Sequence, residues 1–192
     1  MKLCLISSAL LAGCVLGCSS APATSYRVYI DPTLGDAIPT VLQGLQEWED
    51  MTHGGVSFQN VIDTHTPEQG KAEIYITHAS RAWLDARALS DGNGNAETYI
   101  GYTYSIDNAS EVWIADEVLS QGGDAESIRL HGELPSIVKH EVGHALWLSH
   151  VQDKSEIMYP NDQRTTTRIT CGDVKQYNDI RGLTTICAEV PQ

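Results

Sequence analysis

Three histidines and one glutamate lie in a single short segment, and their spacing constrains how the chain can fold there. From His140 to His150 the sequence reads HEVGHALWLSH. Residues four apart share one face of a helix, so His140 and His144 can reach the same ion. In a continued helix, His150 would lie about 120° around the axis and about 9 Å further along. If all three imidazoles are to meet, the helix must end near Trp147 or Leu148.

The residue types of this segment are those of a hydrolytic zinc site. Three neutral imidazoles leave the fourth position of a zinc ion for water, which is typical of catalytic rather than structural sites. Glu141 directly follows the first histidine and can accept a proton from that water. We therefore predict His140, His144 and His150 as the ligands of one zinc ion and Glu141 as the general base. The alternative is coincidence, although the His-Glu-x-x-His spacing arises by chance in only about one or two such chains per hundred.

The first 18 residues have the pattern of an export signal. One lysine precedes an apolar run that is too short for an ordinary transmembrane helix, and small residues then precede a cysteine. This resembles a bacterial lipoprotein signal, with either Cys14 or Cys18 as the lipid-bearing residue. Cys18 is favoured because cleavage before Cys14 leaves a very short signal, and an ordinary cleaved secretory signal is the alternative. The predicted organisation is a signal peptide over residues 1–17, a tether over residues 18–25 and one domain over residues 26–192, located in the cell envelope or secreted.

Two cysteines, Cys171 and Cys187, remain in the globular part of the chain. Because exported proteins mature in an oxidising compartment, we predict a disulfide between them. The bond would close a loop of about 16 residues and contribute about 3 kcal/mol on a chain-entropy estimate. The alternative is a pair of buried thiols.

Periodicity predicts five strands and three helices. Apolar residues at helical spacing run from Asp36, a candidate N-cap, as far as Met51. Pro135 opens a second helix that carries the histidines. A third helix starts at Thr170, with Asp173 as its capping partner. Runs rich in β-branched and aromatic residues predict strands at residues 26–30, 56–61, 72–77, 98–104 and 111–115.

Met158 lies eight residues after His150, within the sequence SEIMYP. Together with the histidine motif, this sequence resembles the metzincin metalloproteases, and most closely those of the matrixin type. The resemblance covers residues 26–184 in the order of elements. It implies an α+β, zincin-like catalytic domain with a mostly parallel, twisted five-stranded sheet, an N-terminal helix, an active-site helix and a C-terminal helix. It also implies that Met158 packs beneath the metal as support rather than as a ligand.

The same resemblance implies a zinc-dependent endopeptidase. Its cofactor would be one catalytic Zn²⁺, and its protein or peptide substrate would lie extended along the strand that contains Gly101 to Tyr104. Residues 161–168 would shape the pocket for the residue just after the cut. The net charge of −13 disfavours nucleic acid and anionic membrane surfaces as partners. We expect a monomer whose membrane attachment is the lipid on Cys18 or Cys14.

Trp147 departs from the family pattern, which has glycine at this position. Glycine adopts a positive φ in a sharp turn without a Cβ clash, whereas another residue loses about 1 to 2 kcal/mol there. Either Trp147 bears that strain or the turn moves to a neighbouring residue. A further alternative is a degraded site in which His150 no longer binds the metal.

Two other functions stay open at this point. A non-catalytic lipoprotein with the metzincin fold could bind a protein or a wall component, although binding alone needs no general base such as Glu141. A different class of zinc peptidase could use a glutamate in place of His150. The candidates for that glutamate are Glu156 and Glu189.

Further metal sites have little support in the sequence. Residues 91–95 read DGNGN and offer oxygen ligands for Ca²⁺. Glu97 comes too early for a twelve-residue calcium loop, however, so a plain turn is favoured. The four other histidines do not reproduce the second-zinc spacing of matrixins, and we interpret them as surface or core residues. They are His53, His65, His78 and His131.

Overall fold

The structure is a computed structural model that describes residues 24–90, 100–120, 125–160 and 163–183. The predicted signal peptide, both candidate lipid-bearing cysteines, Cys187 and the candidate calcium segment lie outside these ranges. Within the described ranges, no helix is both long and apolar enough to cross a membrane. Lipid attachment, the calcium site and the Cys171–Cys187 disulfide therefore stay predictions.

Five strands form one sheet at the centre of the domain. They are β1 Thr24–Ile30, β2 Val56–Ile62, β3 Glu73–Ala79, β4 Gly101–Ile106 and β5 Ala109–Ala115. Their order across the sheet is β2-β1-β3-β5-β4, and all neighbours are parallel except β4, which runs antiparallel to β5. The α+β class and the mostly parallel five-stranded sheet are thereby confirmed.

The first strand begins earlier than the sequence predicts. The tether was expected to extend to Ser25, but β1 already includes Thr24 and Ser25. The amide of Thr24 donates to the Gly55 carbonyl at 3.1 Å, next to the start of β2. Pairing with a neighbouring strand therefore extends β1 beyond the alternating pattern that begins at Tyr26.

The described helices lie between and after these strands in the chain. They are a 3-10 helix over Pro32–Ala37 and the α-helices α1 Ile38–Met51, α2 Arg81–Ser90, α3 Asp116–Leu119, α4 Ala125–Ala145 and α5 Cys171–Arg181. The prediction of Asp36 as the cap of α1 is wrong, because the 3-10 helix comes first. Asp31 caps that helix instead, by accepting a hydrogen bond from the Thr33 amide at 2.9 Å.

The sequence prediction places the start of α4 too late and misses α2 and α3. α4 begins at Ala125, so Pro135 lies inside the helix rather than at its start. A proline there disfavours a continuous helix, but Leu130 and Leu134 are buried on the preceding turns. Tertiary packing thus holds these turns in helical form. The sequence does not reveal α2, because its buried apolar residues, Leu84 and Ala88, are too few to set up a clear period.

The helix that carries the histidines is held between the sheet and α1. α4 packs against α1, β4 and β5. Trp48 of α1 is fully buried, and its indole Nε1 donates to the Lys139 carbonyl at 3.0 Å. Gly44 permits this approach, since a Cβ there would lie 2.9 Å from Cγ1 of Val138. The histidine-bearing turns of α4 therefore rest on a rigid, close-packed surface.

Candidate metal centre

A left-handed turn ends the helix that carries the first two histidines. The last helical residue is Ala145, and Trp147 adopts a φ of +74°. The amide of Leu148 donates to the Gly143 carbonyl at 3.0 Å and closes the turn. The helix ends two residues before the predicted position, and the chain turns back toward His150 as expected. Trp147 itself bears the strain, and its side chain is partly covered, with 39% of the residue exposed.

The turn brings the three predicted ligands to one point. The Nε2 atoms of His140 and His144 lie 3.1 Å apart, and that of His150 lies 3.3 Å from His140 and 3.0 Å from His144. A tetrahedral zinc ion with Zn–N bonds of about 2.0–2.1 Å needs ligand nitrogens about 3.3–3.4 Å apart. The three donors therefore fit a zinc ion to within a few tenths of an ångström.

Backbone carbonyls determine which ring nitrogen faces this point. Nδ1 of His140 lies 2.8 Å from the Ile157 carbonyl, and Nδ1 of His144 lies 2.8 Å from the Leu148 carbonyl. A carbonyl can only accept, so each Nδ1 carries the proton and each Nε2 presents a lone pair. Lone pairs 3.1 Å apart repel each other unless a cation lies between them. The donor set is thus arranged for a metal ion.

Burial keeps these imidazoles neutral. It lowers the pKa of His140 well below its usual value, and the charges of His144 and Arg164 lower it further. Burial also lowers the pKa of His144, while the hydrogen bond to Leu148 opposes this shift. The neutral ring is the form that binds a metal, so no proton has to be displaced at neutral pH.

Glu141 lies on the same helix and is held against the edge strand of the sheet. Its Oε2 accepts a hydrogen bond from the Thr103 hydroxyl of β4 at 2.7 Å. The carboxylate approaches the β4 backbone so closely that a Cβ on Gly101 would lie 2.6 Å from Oε1. Burial raises the pKa of Glu141 to about 7, against the lowering effects of Thr103 and Arg164. The sequence motif gave no indication of Thr103 or Gly101 as partners of this glutamate.

Met158 packs under the helix between the two ligands. Its side chain is fully buried, and its Sδ fills the space that a Cβ on Gly143 would need. Asp173 accepts hydrogen bonds from the amides of Ile157 and Met158, both at 3.1 Å, and also completes the predicted capping box with Thr170. One carboxylate thus joins the start of α5 to the segment beneath the metal centre.

Arg164 is a further residue of the site; it lies in the segment 161–168 that the resemblance assigns to the substrate pocket, but the sequence indicated no individual role for it. Its Nη1 donates to the Ile157 carbonyl at 2.8 Å, which is the same carbonyl that accepts from His140 Nδ1. The guanidinium is only partly exposed, and burial lowers its pKa. It lies in no motif and in no predicted element, so only the folded chain shows its proximity to the histidines.

The other residues considered as metal ligands do not join the three histidines in the described part of the chain. Among the described residues, the three histidines of the motif are the group that converges for a metal. The carboxylate of Glu156 lies against the backbone of Gly172 at the start of α5, and Glu189 is outside the described ranges. Of the other histidines, His53 is exposed, His65 contacts Glu73, His78 contacts Asp116, and the side chain of His131 is not described.

Comparison with known proteins identifies the family. The curated relative metalloendoproteinase 1 of Glycine max is 25% identical over 162 residues, which are 83% of this chain and 48% of that protein. The chain thus spans about half the length of this relative. Archaemetzincin from Methanopyrus kandleri is a solved structure with 14% identity and a TM-score of 0.49, covering 84% of this chain and 97% of that one. Metalloproteinase-II from Bacteroides fragilis has 14% identity and a TM-score of 0.45, covering 83% of this chain and 54% of that one.

The family model of the matrixins, peptidase M10, matches residues 29–186. The match extends from the first strand past the last helix and includes every residue of the metal centre. The chain therefore belongs to the matrixin family, a family of zinc-dependent peptidases.

Proposed function

We propose that this chain is a zinc-dependent endopeptidase in which His140, His144 and His150 hold one catalytic Zn²⁺ and Glu141 is the general base. One observation carries the proposal. The three Nε2 atoms lie 3.0–3.3 Å apart beside a buried carboxylate. A structural zinc site would use a fourth protein ligand and would have no need of that carboxylate.

The chain's own residues supply the proton transfers. When bound, zinc acts as a Lewis acid that polarises the peptide carbonyl and makes a water molecule more acidic. Glu141 takes a proton from the attacking water as the new C–O bond forms, and it delivers that proton to the amide nitrogen as the C–N bond breaks. In the metal-free site burial raises the pKa of Glu141 to about 7, so its carboxylate is a stronger base than that of an exposed glutamate. Thr103 orients the carboxylate through its hydrogen bond to Oε2.

The substrate is a protein or peptide that binds along β4. This strand lies at one edge of the sheet, where an extended peptide can add backbone hydrogen bonds. Glu141 is hydrogen-bonded to Thr103 of the same strand, so a peptide on this edge passes close to the base. The proposed binding edge and the proposed base are therefore joined by a direct contact.

The experiment compares wild type with Glu141→Gln in the full chain. Bound zinc and cleavage of unfolded casein and a peptide library are measured for both. We expect one zinc per chain in each protein and a loss of cleavage of about 10²- to 10⁴-fold in the variant. Glu117→Gln, an exposed position on α3, is the matched control and should cleave like wild type. A wild-type protein that holds zinc but cleaves no better than Glu141→Gln would instead be a non-catalytic binding protein.

We also propose that the chain is exported and lipidated at Cys18, with a disulfide between Cys171 and Cys187. The signal-like first 18 residues support export. Growth with a labelled fatty acid should label wild type and Cys14→Ser but leave Cys18→Ser unlabelled. If only Cys14→Ser loses the label, the lipid is attached to Cys14 instead. If wild type is not labelled, the protein is secreted without a lipid. Peptide mapping without reductant should recover Cys171 and Cys187 in one linked fragment.

A further inference from the structure

The guanidinium of Arg164 lies beside the proposed catalytic residues. It shares the Ile157 carbonyl with His140, each at 2.8 Å. Burial is the main cause of the altered pKa of His140, His144 and Glu141, and the charge of Arg164 lowers the pKa of all three. One positive charge therefore acts on two of the proposed ligands and on the proposed base.

The segment that presents Arg164 is fixed to the body of the domain. Lys139 of α4 donates to the Thr167 carbonyl at 2.6 Å and pairs with Glu47 of α1 at 2.6 Å. Glu47 in turn accepts a hydrogen bond from the Ile169 amide at 2.8 Å. The guanidinium is thus held by a segment tied to both helices, rather than carried on a free loop.

No carboxylate neutralises this cation in the part of the chain that the structure describes. The ion pairs found there involve other residues. Acidic groups among the described residues raise the pKa of Arg164 through their charge, without forming an ion pair with it, and Glu141 raises this pKa the most. The chain has 25 acidic and 12 basic residues, so acidic partners are abundant in the sequence. A partly buried charge without a counter-ion is costly, and such costs concentrate at functional sites.

The donors of Arg164 are also incompletely used. A guanidinium has five N–H donors in a rigid fork. Within the described ranges, one hydrogen bond, from Nη1 to Ile157, is formed. The fork geometry matches a carboxylate, which can accept two parallel hydrogen bonds from it.

We propose that Arg164 is a specificity-determining residue whose guanidinium binds a carboxylate of the substrate close to the scissile bond. The carboxylate belongs either to an aspartate or glutamate side chain or to the C-terminus of the peptide. This inference rests on the proposed peptidase function, since it assigns the substrate chemistry of that same site. A charge-assisted hydrogen bond in a partly buried site is expected to favour the acidic peptide by about 10- to 100-fold over its neutral isostere.

The first experiment measures kcat/KM of the full-length, zinc-loaded protein on matched peptides. In a first series of peptide pairs, the two members of a pair carry Glu or Gln at one position. The series covers each position from three residues before to three residues after the scissile bond. A second pair differs as a C-terminal acid against an amide, and it distinguishes the two sources of the carboxylate. We expect wild type to prefer the acidic member at one position. Equal rates for every pair would overturn the proposal and leave the peptidase function intact.

Four variants connect any preference to Arg164. Arg164→Gln should reduce the acid-to-neutral ratio of kcat/KM to about one, with zinc content preserved. Arg164→Lys keeps the charge but not the fork, so the ratio should be reduced and still above one. Arg168→Gln removes an exposed charge from the same segment and should leave the ratio unchanged. If the acidic peptide is preferred only by Asp162→Asn, the carboxylate of Asp162 binds the guanidinium of Arg164 in wild type. This outcome would overturn the proposal.

Peptide binding gives a second measurement that does not depend on cleavage. The acidic and neutral peptides are titrated into zinc-loaded Glu141→Gln and into the double variant with Arg164→Gln. We expect tighter binding of the acidic peptide by about 10-fold or more in the first protein and equal binding in the second. Equal binding in both overturns the proposal. If wild type cleaves nothing, the peptidase function fails, and binding still decides whether Arg164 recognises a carboxylate.

Discussion

Two clusters in this molecule combine histidine with carboxylate, and they differ in how their polar atoms are used. In the metal centre, His140 and His144 donate to backbone carbonyls and direct their other nitrogens at each other. The second group, called here the Asp31 cluster, lies around the carboxyl ends of β1, β3 and β5. It consists of Asp31, Thr33, Tyr75, Thr77, His78 and Asp116.

In the Asp31 cluster the side chains are hydrogen-bonded to one another. Asp31 accepts from the Tyr75 hydroxyl at 2.6 Å and from the Thr77 hydroxyl at 2.8 Å. The ring nitrogens of His78 lie 2.5 Å from Asp116 and 2.9 Å from Thr33. Histidines and carboxylates alone therefore do not identify a reactive site. The metal centre differs from the Asp31 cluster because the Nε2 lone pairs of His140 and His144 point at each other, with no hydrogen-bond donor from the described residues between them.

Removing one histidine from each cluster should give the largest contrast. His150→Ala deletes a ligand, so we expect loss of bound zinc and a fall in peptide cleavage of more than about 10³-fold. His78→Ala should keep both zinc and cleavage, because its ring nitrogens contact Asp116 and Thr33 and not a metal. Zinc content by elemental analysis and kcat/KM on one peptide check both outcomes. Equal zinc loss in the two variants would remove the distinction between the clusters.

Zinc addition should stabilise the protein only through the metal centre. Binding to the folded state raises the free energy of unfolding by about 4 kcal/mol when free zinc is 1,000 times its dissociation constant. Wild type and His78→Ala should both gain this stability over their metal-free forms, whereas His150→Ala should gain much less. Thermal unfolding with and without zinc measures the difference. A gain in His150→Ala equal to that of wild type would place the bound zinc elsewhere.

The Asp31 cluster should act through stability and show a specific pH dependence. Burial raises the pKa of Asp31, but hydrogen bonds from Thr33, Tyr75 and Thr77 outweigh it and hold the pKa well below its usual value. A carboxyl group with a lowered folded-state pKa contributes stability above its unfolded pKa of about 3.9, and that contribution is lost as the pH falls toward the folded value. We expect Asp31→Asn to cost about 2 kcal/mol at neutral pH.

Urea denaturation of wild type and Asp31→Asn at several pH values tests this. The difference in free energy of unfolding should be constant from pH 7 down to about 5 and should shrink below about 4. Asp63→Asn, at an exposed position, is the control and should change little. A difference that grows on acidification would contradict the assigned direction.

The sequence predicted the metal centre better than its surroundings, for a physical reason. His140 and His144 belong to one helix, so local geometry fixes their relation, and the position of His150 follows from the need to leave that helix. Thr103 and Gly101 reach Glu141 from β4, and Arg164 reaches the Ile157 carbonyl from the segment before α5. Contacts between distant segments leave no periodic trace in a single sequence.

The same distinction explains the errors in the fold. The strand and helix patterns gave five strands and three of the helices, since each pattern is local. The preference of proline for the first turn of a helix predicts a helix start at Pro135, but burial of Leu130 and Leu134 extends α4 through this residue. Tertiary packing overrides local propensity where enough apolar surface is buried.

Variants of Trp147 test the turn of the metal centre and have the smallest expected effect on stability. Trp147 holds a φ of +74° in the turn that returns His150 to the other ligands, a conformation that costs a non-glycine residue about 1 to 2 kcal/mol. Trp147→Gly removes this strain but adds freedom to the unfolded chain, which costs about 0.5 to 1 kcal/mol. Trp147 is 39% exposed, so loss of the indole also removes packing and opposes this gain. Trp147→Ala loses the same indole but keeps the Cβ that causes the strain. We therefore expect Trp147→Gly to be more stable than Trp147→Ala by about 0.5 to 1 kcal/mol, measured by urea denaturation, with zinc content unchanged in both. Were Trp147→Gly to lose zinc, the indole itself, rather than the turn it occupies, would be holding His150 in place.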